Sequence, residues 1–99
     1  MAYGIILEFG SDVTEQMYNA VNEKLGIEMN AGMGGLPAGL KSHAGGTTPG
    51  GFCVMEVWDS KALQEEWIGG TLGAALGAVG VSAPVRVTEI DIVGFNAPG

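Results

Sequence analysis

The sequence predicts an α+β fold: a four-stranded antiparallel sheet with two helices on one face, in the order β-α-β-β-α-β. Three observations carry this. Residues 3–9 and 52–58 alternate their side chains at period two. Residues 13–25 repeat apolar side chains at helical spacing. A Gly/Pro-rich turn at residues 45–51 joins two strand-like segments into a hairpin.

In the first strand Tyr3, Ile5, Leu7 and Phe9 share one face, and Gly4, Ile6 and Glu8 share the other. Asp12-x-x-Glu15 reads as a capping box opening the first helix. Val13, Met17, Ala20, Val21 and Leu25 form its apolar stripe, and Gly26 is a natural stop. Residues 27–39 form a loop long for a small domain, of the kind that serves as a lid or binding loop. Within it, residues 29–36 are the expected lid. Residues 40–44 make a short strand with Lys41 and His43 on one face. The next strand sets Phe52, Val54, Glu56 and Trp58 on one face and Cys53, Met55 and Val57 on the other. Both faces are largely apolar, as in a strand covered on both sides.

Ser60 caps the second helix, whose stripe is Leu63, Trp67, Leu72, Leu76 and Val79. Each of Gly69 and Gly70 costs about 1 kcal/mol of helix stability relative to Ala, so a break is expected there. Residues 84–95 are the last strand. Its apolar parity shifts between Val85 and Val87 on one side and Ile90 and Ile92 on the other, which predicts a bulge near Glu89.

This order is the ferredoxin-like split unit. The sheet face away from the helices is apolar too, so two sheets packed face to face would cover each other, and a homodimer is expected. With 99 residues the chain makes one domain, residues 1–99. Hydrophobic residues are 46% and charged residues only 15%, a lean surface for a small monomer, and this favours the same conclusion.

The net charge of −7 and a total of four Lys and Arg residues exclude the basic footprint that nucleic acid or an anionic membrane surface requires. A single cysteine, Cys53, excludes an intrachain disulfide. No basic, apolar leader opens the chain, and the expected setting is soluble and cytoplasmic. Gly34-x4-Gly39 ahead of Lys41-Ser42 approaches a phosphate-binding loop, but an extra Leu intervenes and a strand follows where a helix is needed. Gly32-x-Gly34 lacks the strand-to-helix setting of a dinucleotide fingerprint. Gly69-x3-Gly73-x3-Gly77 reads as close helix packing.

His43, the one histidine, is the residue that naturally titrates near neutral pH. It is the candidate catalytic acid/base, against a structural role bridging the hairpin. A multi-His metal site is excluded, and a His–carboxylate site would need Glu56, Glu89 or Asp91 to converge on it. Trp58 and Trp67 are candidate walls of a pocket between sheet and helices, or plain core. A carboxylate buried against apolar walls would have a raised pKa and could act as acid or base; Glu8, Glu56, Glu89 and Asp91 all lie on strands. Arg86, the lone arginine, would pair with one of them.

The chain resembles the dimeric α/β-barrel superfamily, near the antibiotic-biosynthesis-monooxygenase-like group of small bacterial proteins. The resemblance rests on YGIILEF, LPAGLKSHAGG, GGFCVMEVWDSKALQEEW and VRVTEIDIVGF. It implies a ferredoxin-like protomer, a barrel-forming homodimer, and a pocket between sheet and helices. It also implies a cofactor-independent monooxygenase-like tailoring enzyme, with no metal and no cofactor, acting on a small aromatic or lipophilic molecule. In the oxygenases a Trp near the end of the third strand lines the pocket, and Trp58 matches it. On this reading His43 is catalytic, and Trp58, Trp67, Glu56 and Arg86 bind substrate. The alternative is a non-catalytic, stress-associated module of the same fold that binds a small molecule or haem.

Overall fold

In the computed structural model, residues 2–27 and 37–94 are described. The elements are β1 (Tyr3–Phe9), α1 (Glu15–Leu25), β2 (Leu40–Thr48), β3 (Gly51–Trp58), α2 (Lys61–Gly69), α3 (Thr71–Val79) and β4 (Arg86–Asp91). All pairings are antiparallel and the strand order is β2-β3-β1-β4. This is the ferredoxin-like α+β fold that the periodicities predict, with the second helix in two pieces.

Local chemistry sets the ends of the elements. The α1 N-cap is Thr14, whose hydroxyl accepts from the Met17 N–H at 3.2 Å. The capping box expected at Asp12 does not form. Asp12 instead accepts from the Ser82 hydroxyl at 2.6 Å, tying the chain ahead of α1 to the segment before β4. Gly26 closes α1 in the left-handed region, at φ 74°. Ser60 caps α2 through the Leu63 N–H, and α2 ends at Gly69, with Gly70 separating it from α3.

Two strand expectations are corrected. β2 runs on to Thr48, because Pro49-Gly50 alone suffices to turn the chain. A side chain at Gly51, where φ is 152°, would collide with the Phe9 and Gly10 backbone. The bulge lies between Leu40 and Ser42 in β2 and not near Glu89. β4 pairs with β1 without interruption from Glu8↔Arg86 to Tyr3↔Asp91. Its apolar residues change parity because both sheet faces are apolar. Val87, opposite Leu7, lies on the helix side, whereas the side chains of Ile90 and Ile92 approach Gly4 on the outer face.

The core lies between the inner sheet face and the helices. Tyr3, Ile5, Leu7, Phe9, Phe52, Val54 and Trp58 meet Val13, Val21, Trp67, Leu72 and Ala75 there. The outer face carries Ile6, Cys53, Met55, Val57 and Ile90, with Met55 52% exposed. Burial and the nearby Glu8 carboxylate raise the Cys53 thiol pKa, disfavouring the reactive thiolate. Among the described residues no helix is long and apolar enough to cross a membrane.

Candidate functional site

The bulge at Lys41 builds the site. Leu40 pairs with Trp58 and His43 pairs with Glu56, so both face inward although they lie three positions apart. An unbroken strand would send one of them to the outer face, because side chains alternate. The extra residue re-aims His43 into the protein. Lys41 is left at the surface, 3.1 Å from Asp59.

Inside, His43 Nδ1 lies 2.9 Å from Glu56 Oε2, and His43 Nε2 lies 3.1 Å from the Tyr18 hydroxyl. The Trp58 indole N–H donates to the other Glu56 oxygen at 3.1 Å. Four side chains from α1, β2 and β3 thus form one hydrogen-bonded chain. The His43 and Glu56 side chains are only 5% and 2% exposed.

Burial raises the Tyr18 pKa, the neighbouring Asn22 amide offsets part of that, and the Glu56 charge adds to the rise. Tyr18 therefore holds its proton and can donate it to Nε2 of His43. That leaves Nδ1 as the ring's N–H, donating to Glu56. A cavity with almost wholly apolar walls abuts this chain. Tyr18, Asn22, His43, Glu56 and Trp67 all contribute to it, among side chains such as Leu7, Phe52, Val54 and Leu76.

The cavity offers about 50 Å³ to the centre of a water-sized molecule. One water needs roughly 10–15 Å³ on such a measure, and an apolar cavity of about 150 Å³ takes up benzene. As it stands the cavity is narrower than one that takes up benzene. Gly45 gives Tyr18 its place, since a side chain there would lie 2.5 Å from the Tyr18 ring. The ring packs nearly parallel to His43, with centroids 5.8 Å apart, and against Phe52 at 4.9 Å.

Of the residues expected from sequence, His43, Glu56 and Trp67 come together at the cavity. Trp58 lies beneath them, 1% exposed, with its ring 5.2 Å from that of Trp67. Arg86 is not brought there. Its register opposite Glu8 puts it on the outer sheet face, where its Nε is 3.5 Å from the Glu8 carboxylate. Glu89 also lies apart, accepting from Tyr3 and pairing with Lys61, both at 2.8 Å. Those two contacts lower its pKa. The lid expected at residues 29–36 lies outside the described residues.

Tyr18 and Asn22 were not singled out in the sequence. The available signal was their spacing: with Val21 and Leu25 they fall on one helical face, so two polar side chains sit on an otherwise apolar stripe.

No family model matches the sequence, and no curated protein matches it. Solved structures do match. A protein from Chloroflexus aurantiacus, provisionally described as an antibiotic biosynthesis monooxygenase, aligns over 100% of both chains with TM-score 0.65 and 21% identity. A protein of unknown function from Nitrosomonas europaea aligns over 99% of this chain and 93% of its own, with TM-score 0.63 and 16% identity. A dimeric ferredoxin-like protein of unknown function from Thermobifida fusca aligns over 90% and 86%, with TM-score 0.51 and 18% identity. At these identities the likeness is one of fold, and it agrees with the ferredoxin-like fold that the resemblance implies.

Proposed function

We propose that this protein is a cofactor-independent oxygenase acting on a small phenolic or otherwise lipophilic aromatic molecule held in the cavity beside His43. The observation that supports it is the Tyr18–His43–Glu56–Trp58 chain at the wall of an apolar cavity. A neutral imidazole backed by a carboxylate is a general base whose positive charge, once formed, is stabilised in place. Tyr18 passes its proton to Nε2 as it takes one from the substrate hydroxyl.

The substrate is then a phenolate, electron-rich enough to reduce O₂ itself. One electron passes to O₂, and the two radicals combine to form a C–O bond at a ring carbon. The relay returns the proton to the peroxide. Loss of the ring C–H proton with cleavage of the O–O bond leaves a quinone and water. The sum is phenol plus O₂ giving quinone plus water. The substrate loses four electrons, O₂ gains them, and one oxygen atom is retained in the product. The protein supplies deprotonation, orientation and a dry site.

Tyr18→Phe keeps the ring and removes the hydroxyl, and turnover is expected to fall about 10²-fold or more. An oxygen electrode with a panel of phenols and quinols, and product mass by mass spectrometry, checks this. Unchanged turnover in Tyr18→Phe rules out the relay.

The narrowness of the cavity favours a second reading, a non-catalytic module that retains a small ligand. It predicts a ligand released unaltered on denaturation and no oxygen uptake on any of the panel. Haem ligation by His43 fits poorly, since both ring nitrogens are engaged and the cavity is far smaller than a porphyrin.

The outer sheet face supports a homodimer. Met55 stands exposed at the middle of that face, near Ile6 and Ile90, and the Thermobifida fusca protein of this fold is described as dimeric. Met55→Lys would set a charge in such an interface and is expected to yield monomers by sedimentation. A wild-type protein that sediments as a monomer contradicts the dimer.

A further inference from the structure

The Asn22 side chain has a buried amide nitrogen with no hydrogen-bond partner among the described residues. The residue is 3% exposed and lines the cavity beside His43 and Glu56. Leaving such a donor unsatisfied costs stability, so native proteins pair nearly all of them. An unmatched one at a cavity wall is a group waiting for a ligand acceptor. The site is otherwise made of apolar walls and of polar groups already committed to one another: His43 to Tyr18 and Glu56, and Glu56 to Trp58.

We infer that Asn22 is the specificity-determining residue of the cavity, donating through Nδ2 to an oxygen acceptor on the ligand. The inference rests on the cavity being a ligand site. Its content is the ligand class: an aromatic molecule carrying a carbonyl or phenolate oxygen, in preference to a hydrocarbon of the same shape. Asn22 also lies beside Tyr18, whose pKa its amide lowers against the larger effect of burial. A ligand oxygen held by Asn22 therefore sits next to the hydroxyl that exchanges protons with His43. In a reacting phenolate, Asn22 would hold the oxygen on which negative charge collects.

The probes are acetophenone and its hydrocarbon isostere α-methylstyrene, titrated into the full-length protein and followed by Trp58 and Trp67 fluorescence. The affinity ratio of the pair is compared between wild type and Asn22→Leu, so that each probe's own hydration cancels. The ratio is expected to shift at least tenfold toward the hydrocarbon in the variant. Asn22→Leu should also melt at a higher temperature, because it removes an unsatisfied buried donor. A residue with a merely structural role would give a lower melting temperature and an unchanged ratio. Asn22→Ala, which only vacates space, should shift the ratio the same way and serves if the leucine variant folds poorly.

An unchanged ratio with both probes bound overturns the role of Asn22 while leaving the cavity a ligand site, and points to an ordered water as its acceptor. Failure of wild type to bind either probe overturns the cavity as a ligand site, and this inference with it.

Discussion

Replacing His43 with alanine is expected to destabilise the protein by about 3–5 kcal/mol, the cost of leaving the buried Glu56 carboxylate without its His43 partner. Glu56 would keep only the Trp58 N–H, in surroundings that include Phe52 and Val54. The double variant His43→Leu with Glu56→Leu should recover most of that loss, because well-packed apolar residues often replace a buried pair at little cost. Urea unfolding of wild type, His43→Leu, Glu56→Leu and the double variant gives the coupling directly. Additive losses would mean that the pair does not act as a unit. Turnover should follow the opposite logic: it is lost in the single variants and stays lost in the stable double variant. A site kept for function differs in this way from one kept for folding.

Trp58→Ala is expected to cost about 3–5 kcal/mol, at the top of the range for a single core truncation. The side chain is almost fully enclosed, packs on Trp67, and satisfies one Glu56 oxygen. Trp58→Phe separates these roles. It keeps most of the apolar volume and removes the N–H, so a loss of about 1–3 kcal/mol is expected from the unsatisfied carboxylate alone. Thermal unfolding of the two variants checks this. A Trp58→Phe variant as stable as wild type would mean that the indole hydrogen bond contributes nothing, and losses equal to those of Trp58→Ala would mean that the packing contributes nothing. Trp58 thus acts on the site by holding Glu56 in place, and it lines a separate groove with Leu63 and Trp67.

The element order was legible because period-two and helical patterns are local, and so were the Ser60 cap and the helix break at Gly69-Gly70. Glu56 was legible for a related reason: it is the one charge among Phe52, Val54 and Trp58 on a face that otherwise reads as core. What the sequence hid is non-local. The Leu40–Ser42 bulge depends on pairing with β3, and it decides which way His43 points. Arg86 offered no sign of its face until its register opposite Glu8 was known. Tyr18 and Asn22 carry no sequence motif that marks them, because a polar side chain on an amphipathic helix usually faces solvent. Only the packing of α1 over the sheet turns them inward, and with them the cavity gains its proton donor and its unmatched amide.

The most direct test of the proton relay is oxygen consumption by wild type and by the His43→Leu, Glu56→Leu double variant on the same panel of phenols and quinols. Uptake by the wild type, with quinone formed in equal amount and the folded double variant no faster than buffer, is the expected result. Equal rates in the two proteins, or no uptake by the wild type on any member of the panel, contradicts a catalytic role for His43 and Glu56.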